Sequence, residues 1–239
     1  MTRDTDRPVA IVTGASRSQG RAIALRLARE GYDLSLAARS EEAMRDLQQD
    51  LANEGAYSLV TAVDLTDCEE RKVFVARTLA EMGRVDILVN NAAVSSLVKF
   101  VDAEWEDVSH QIDLNLEAPM HLSHLVLGDM VNRGSGKIVN ISSIATSASL
   151  PVLATYRTTR SGLEYFTKAL RSELEGTGVS VTAVLPSGIA DPRTTKSLEA
   201  RSGVRLEGAV AMGIVSATKI ANDVVAVIKN DKVEKALVA

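Results

Sequence analysis

The sequence predicts an α/β protein: a doubly wound parallel sheet with helices on both faces, folded as a single domain over residues 1–239. Two observations carry this. Short apolar runs rich in β-branched residues alternate with longer helical patterns along the chain. The first run leads directly into a glycine-bearing turn that opens a helix. No repeat and no low-complexity linker divides the chain, and its length suffices to bury a core.

The elements follow in order. "VAIVT" (Val9–Thr13) is a compact β-branched run, followed by the helical "GRAIALRLAREG". "DLSLAA" (Asp33–Ala38) precedes a charged amphipathic segment, Glu41 to Asn53. "SLVTAV" (Ser58–Val63) precedes a helix from Asp67 to Met82. "VDILVN" (Val85–Asn90) reads as a central strand, and one long helical region runs from about Glu104 to Asn132. "KIVNIS" (Lys137–Ser142) is followed by a helix that contains Tyr156 and continues to about Glu175. "VSVTAVL" (Val179–Leu185) and a short final strand near Lys235–Val238 complete the sheet. The patternless stretch of about 187–216 is long for a plain connection and is expected to be a substrate lid.

Composition excludes several classes. Net charge is −4 and no Lys/Arg run tracks a phosphate backbone, so nucleic acid is not an expected partner. Cys68 is the only cysteine, which rules out an internal disulfide and fits a reducing compartment. The polar start "MTRDTDRP" lacks a signal-peptide core, and no apolar run approaches the roughly 20 residues that span a bilayer. A cytoplasmic location is expected. His110/Asp113 and His121/His124 have i, i+3 spacing, but no third ligand accompanies either pair, and no metal is expected.

"TGASRSQGRA" sits where a Rossmann-type fold holds a dinucleotide pyrophosphate. A tight turn there lets backbone N–H groups approach the phosphates at the helix N-terminus. Gly14, Ser16, Arg17, Ser18, Gln19 and Gly20 are the candidate contacts. The spacing is T-G-x-x-x-S-x-G, with Ser18 where a middle glycine would stand. After the second strand, "AARS" places Arg39 where the adenosine ribose is held. An acidic residue there would pair a free 2′-hydroxyl, whereas Ala38 and Arg39 suit a 2′-phosphate, with Arg17 as a second charge. NADP(H) is the expected cofactor.

"ATYRTTRSGLEYF" puts Tyr156 and Arg160 four residues apart on one helix face. A cation beside a phenol stabilises the phenolate, which makes Tyr156 a candidate acid–base group.

These pieces together resemble the short-chain dehydrogenase/reductase superfamily over nearly the whole chain. "TGASRSQG" is similar to that family's TGxxxGxG loop, and "VDLTD" to its adenine-contacting segment, which places Asp64 and Leu65 near the base. "NNAA" (Asn90–Ala93) is similar to NNAG and brings Asn90 to the cofactor. "DLNLEAP" puts Asn115 at the catalytic asparagine, and "NISS" puts Ser143 at the catalytic serine. "YRTTR" stands for YxxxK and "LPSGI" for PGxI, which gives Tyr156 and Arg160 the catalytic pair and Pro186 and Ile189 the nicotinamide pocket. The resemblance implies hydride transfer between a nicotinamide and a carbonyl or alcohol substrate. Ser143 would bind the carbonyl oxygen, Tyr156 would act as general acid, and Asn115 would order a water behind Arg160. The alternative on the same fold is a non-redox cyclase, dehydratase or isomerase of a carbonyl compound, using Tyr156, Ser143 and Arg160 as acid/base and oxyanion groups.

Four positions depart from the pattern: Ser18, Ala93 and Ser187 replace glycine, and Arg160 replaces lysine. Each glycine loss adds a Cβ near the cofactor cleft, so weakened cofactor binding is expected. Arginine keeps the charge and a fork of donors, but it has no accessible neutral form through which to pass a proton. Trp105 is expected to pack. The long helix and the Tyr156 helix are apolar on several faces, which marks buried helices. In relatives these helices form subunit contacts, so a homodimer or homotetramer is expected. The family's glycine-rich C-terminal extension is missing after "KNDKVEKALVA", so tail contacts to a neighbouring subunit are not expected.

Overall fold

The computed structural model describes residues 6–147, 152–189, 214–230 and 235–238. In chain order the elements begin β1 (Val9–Thr13), α1 (Ser18–Arg29), β2 (Asp33–Ala38), α2 (Glu42–Asn53), β3 (Ser58–Ala62) and α3 (Cys68–Met82). They continue with β4 (Ile87–Asn90), α4 (Trp105–Ile112), α5 (Ala118–Arg133), β5 (Gly136–Ile141), α6 (Ala154–Glu173) and β6 (Val179–Pro186). Last come β7 (Gly188–Ile189), β8 (Ile214–Val215), α7 (Ala217–Lys229) and β9 (Lys235–Val238).

Seven strands form one parallel sheet in the order β3-β2-β1-β4-β5-β6-β9. β7 and β8 pair separately. Alternation along the strands supplies both cores, because successive side chains point to opposite faces. Val12, Val89 and Val139 face one layer with Ile23 and Leu27 of α1, Leu47 of α2 and Val224 of α7. Ile11, Leu88 and Ile138 face the other, with Phe74 of α3, Leu122 and Val126 of α5 and Leu170 of α6. Both faces of the sheet are therefore covered, which is why its strands read as near-continuous apolar runs.

The helix ends are set locally. Asp67 caps α3 by accepting from the amides of Glu69 and Glu70, and Gly83 ends it in left-handed backbone at φ 77°. Gly134 does the same for α5 at φ 64°. Ser216 caps α7 by accepting from the Lys219 amide. α7, unassigned in the sequence analysis, buries Ile220, Val224, Val225 and Ile228 beside α1.

Two expectations change. The long helix of 104–132 divides into α4 and α5, joined by a π-helical turn over Asp113–Glu117. Trp105 does not pack: it is 65% exposed at the head of α4. Most of the expected lid, residues 190–213, lies outside the described residues.

The strand order reverses at β1, whose two neighbours are β2 and β4. The crevice of a doubly wound sheet opens beyond the carboxyl ends of the strands at such a reversal. Thr13, Asn90 and Ile141 end the strands that border it.

Candidate active site

The crevice floor is built by Thr13. Its hydroxyl accepts from the amides of Asn91 (2.9 Å) and Ala92 (3.0 Å) and donates to the Val89 carbonyl (3.4 Å). Asn91 answers with its Nδ2, which donates to the carbonyls of Thr13 (2.7 Å) and Gly14 (3.3 Å). The ends of β1 and β4 are thereby locked together. Gly14 turns the chain at φ 65°. A Cβ on Gly20 would stand 2.2 Å from the Gly14 oxygen and 2.6 Å from Asn91 Nδ2, so glycine alone lets α1 start this close to the loop.

The start of α1 is open to an anion. Its N-cap residue, Arg17, makes no side-chain cap, and no acidic residue stands in its first turn, whereas α3 carries both. The first-turn N–H groups and the positive dipole end are thus left for a ligand. Arg17 and Arg39 are exposed beside this opening, at the loop and just beyond β2. Among the three glycine replacements, only Ser18 lies in left-handed backbone, at φ 48°. Ala93 and Ser187 have ordinary backbone, so chain geometry does not demand glycine at either position.

Asp64 is exposed just past β3. Its carboxylate accepts from the Thr66 amide (2.9 Å) and hydroxyl (2.8 Å), which hold it below the usual aspartate range. Leu65 is buried in the core beside Phe74, so its side chain is not available to a ligand. Asn90 also turns inward. Its Nδ2 donates to the Asn140 Oδ1 (2.8 Å), the Pro119 carbonyl (3.3 Å) and the Ser123 hydroxyl (3.4 Å), tying the sheet to α5. Its buried Oδ1 has no partner, and the residue lines a cavity of about 10 Å³, room for about one water.

Asn115, wholly buried in the π-helical turn, holds the second half of the site. Its Oδ1 accepts from the Val94 amide (2.9 Å) and from Arg160 Nη2 (3.3 Å). Its Nδ2 donates to the Val94 carbonyl (2.8 Å) and the Thr159 hydroxyl (3.3 Å). The chain after β4 and helix α6 are thus pinned to one carboxamide. The wide turn fits a recurrent pattern: π-helical turns inside helices often mark functional sites.

Arg160 points inward, only 2% exposed, with Nη1 donating to the Ile141 carbonyl (3.0 Å) at the end of β5. Its guanidinium carbon lies 5.4 Å from the centroid of the Tyr156 ring, within cation–π range. The cation and the phenol therefore share one face of α6, as the i, i+4 spacing predicts. Ser143 lies two residues past β5, and its carbonyl accepts from the Thr146 amide (3.2 Å) and hydroxyl (3.0 Å). Arg157 Nη2 donates to the Thr146 carbonyl (3.1 Å) and so fixes the Ser143 loop against the first turn of α6.

The structure thus gathers Asn115, Tyr156 and Arg160 directly, and Ser143 through Arg157. Pro186 closes β6 at the same edge, and Ile189 lies in β7, its side chain outside the described residues. Thr13, Asn91, Arg157 and Thr159 were not singled out from the sequence. A threonine ending the first strand and the second asparagine of "NNAA" were the available signals.

A doubly wound sheet with an open helix N-terminus at its strand reversal, and a Tyr–Arg pair beside it, defines a dinucleotide-binding enzyme of the oxidoreductase kind. The comparisons make this specific. The family model for short chain dehydrogenases matches residues 8–202. The chain is 34% identical over 189 residues to a 3-oxoacyl-[acyl-carrier-protein] reductase, FabG, of Staphylococcus aureus, covering 77% of this chain and 76% of the relative. It superposes on an actinorhodin polyketide ketoreductase crystallised with NADPH at a TM-score of 0.90, with 30% identity and coverage of 100% and 97% of the two chains. A metagenomic short-chain oxidoreductase in complex with NADP matches at a TM-score of 0.82, with 30% identity and coverage of 97% and 96%. The chain belongs to the short-chain dehydrogenase/reductase family.

Proposed function

We propose that this protein is an NADPH-dependent reductase of a 3-oxoacyl-type carbonyl. One observation carries the reading: a buried guanidinium lies over the Tyr156 ring, fixed by Asn115 and the end of β5. The names of the similar FabG reductase and polyketide ketoreductase support the substrate class.

The residues present fit a dinucleotide. The uncapped start of α1, with Gly14 and Gly20 clearing its approach and Ser16, Ser18 and Gln19 in the loop, would hold the pyrophosphate. Arg17 and Arg39 would grip a 2′-phosphate, which favours NADPH over NADH. Asp64 and the Leu65 backbone would meet the base, and Pro186 and Ile189 would border the nicotinamide. When bound, the cofactor supplies the hydride.

The chain supplies the rest. The Ser143 hydroxyl donates to the carbonyl oxygen and stabilises its developing charge. Tyr156 gives its phenolic proton to that oxygen as general acid. Arg160 holds a fixed positive charge on the ring and stabilises the phenolate left behind. Asn115 positions Arg160 and does not touch the reacting atoms.

Several large apolar side chains support a homo-oligomer. Val73, Trp105, Ile112, Met120 and Tyr165 are exposed on α3 to α6, all on one side of the sheet. Among the described residues no helix is long and apolar enough to cross a membrane.

The test is a fluorescence titration with NADPH and NADH, followed by 340 nm absorbance with acetoacetyl-CoA. Tighter NADPH binding and substrate-dependent oxidation are expected. Binding without oxidation would reject the redox assignment, and a preference for NADH would reject the roles of Arg17 and Arg39.

A further inference from the structure

We infer that the Ser187 hydroxyl is a ligand for the nicotinamide end of the dinucleotide, a contact the glycine pattern at this position cannot make. The inference rests on the proposed function. Ser187 is 3% exposed, and its Oγ has no hydrogen-bond partner. A buried hydroxyl without a partner is unfavourable, and in native proteins it calls for an explanation.

Its place supplies one. Ser187 lies where the chain leaves the sheet, between the end of β6 and β7. Three residues earlier the Val184 carbonyl accepts the Ser142 amide (2.7 Å), so this edge adjoins Ser143 at the end of β5. That is the carboxyl edge of the sheet, on the crevice. Two further buried atoms without partners sit on crevice elements, Gln19 Oε1 on α1 and Arg160 Nε on α6. A polar guest in the crevice would satisfy the Ser187 hydroxyl. The backbone at Ser187 is ordinary, so the serine is not there as a strained stand-in for glycine. A hydroxyl can donate and accept at once, which suits the carboxamide of a nicotinamide.

The contrary reading is that the added Cβ only crowds the cofactor. The two readings predict opposite signs. We would titrate wild type, Ser187→Ala and Ser187→Gly with NADPH and with 2′,5′-ADP, which has the adenosine end but no nicotinamide. Thermal unfolding of each protein without nucleotide accompanies the titration. Ser187→Ala and Ser187→Gly should bind NADPH about 3- to 10-fold more weakly, the loss of one ordinary hydrogen bond. Affinity for 2′,5′-ADP should not change. The Ser187→Ala melting temperature should equal or exceed wild type, since an unsatisfied group has been removed. Unchanged or tighter NADPH binding overturns the inference, as does an equal loss for 2′,5′-ADP. A lowered melting temperature for Ser187→Ala overturns it too, by making the hydroxyl structural. If wild type bound neither nucleotide, the proposed function would fall and this inference with it; equal NADPH binding by all three proteins sinks this inference alone.

Discussion

Replacing Asn115 by alanine tests how the Arg160 guanidinium is held. The carboxamide makes four hydrogen bonds at zero exposure: two with Val94, one from Arg160 and one to Thr159. Thr159 keeps its bond to the Tyr156 carbonyl (2.8 Å), and Arg160 keeps Ile141, so neither is fully orphaned. The Val94 N–H and C=O lose these partners. Val94 is only partly buried, so water relieves some of the loss. Unpaired buried groups cost about 1–3 kcal/mol each, and the low end for two such groups plus the Arg160 bond gives about 3 kcal/mol. For a chain of this size that lowers the melting temperature by about 6–12 °C. Asn115→Asp isolates the donor half: it keeps an acceptor for Val94 and Arg160 but sets an oxygen against the Val94 carbonyl. It should also melt well below wild type. Thermal unfolding by circular dichroism reads both. An Asn115→Ala protein melting within about 2 °C of wild type, under 1 kcal/mol on the same scale, would refute the clamp.

Three further outcomes are expected. Ser18→Gly relieves left-handed backbone at φ 48° and should stabilise the protein by about 1 kcal/mol in urea unfolding; an unchanged midpoint would contradict it. Arg160→Lys supplies a group that can lose its proton and should raise turnover by up to about tenfold, or 1.4 kcal/mol of barrier; equal or lower turnover rejects the idea of a blocked proton path. His121, on α5, is held below the usual histidine range by burial first and then by Arg71 and Lys72, with Glu117 opposing and His124 adding to it. The unfolded chain then binds the proton more readily, so stability is full above the unfolded value near 6.5 and falls as pH drops below it. His121→Gln should flatten that slope below about pH 6.5, and a slope unchanged in the variant would contradict the assignment.

Much of the fold was legible because each strand is a compact apolar run between helical patterns. All seven sheet strands and helices α1, α2, α3 and α6 were anticipated within a few residues, whereas α4 and α5 were read as one helix and α7 was not assigned. The π-helical turn was not, because "DLNLE" keeps helical composition and the widening comes from Asn115 reaching Val94 and Arg160 in space. Trp105 misled because an aromatic at a helix start usually packs, whereas here it stands in the open. In the site, the i, i+4 rule correctly set Tyr156 against Arg160, since it depends only on helix geometry. Asn90 shows the limit. A motif position names a residue, but only packing revealed its carboxamide turned towards α5. The Thr13–Asn91 lock lies about 78 residues apart in sequence and no local pattern announces it.

In the proposed mechanism Tyr156, beside the Arg160 guanidinium, delivers the proton that accompanies hydride transfer. Single-turnover oxidation of bound NADPH by acetoacetyl-CoA, in wild type and Tyr156→Phe, tests it most directly. A drop of about 100-fold or more in that rate, with NADPH affinity unchanged, is predicted for the phenylalanine variant. A Tyr156→Phe protein that turns over at the wild-type rate would contradict the account.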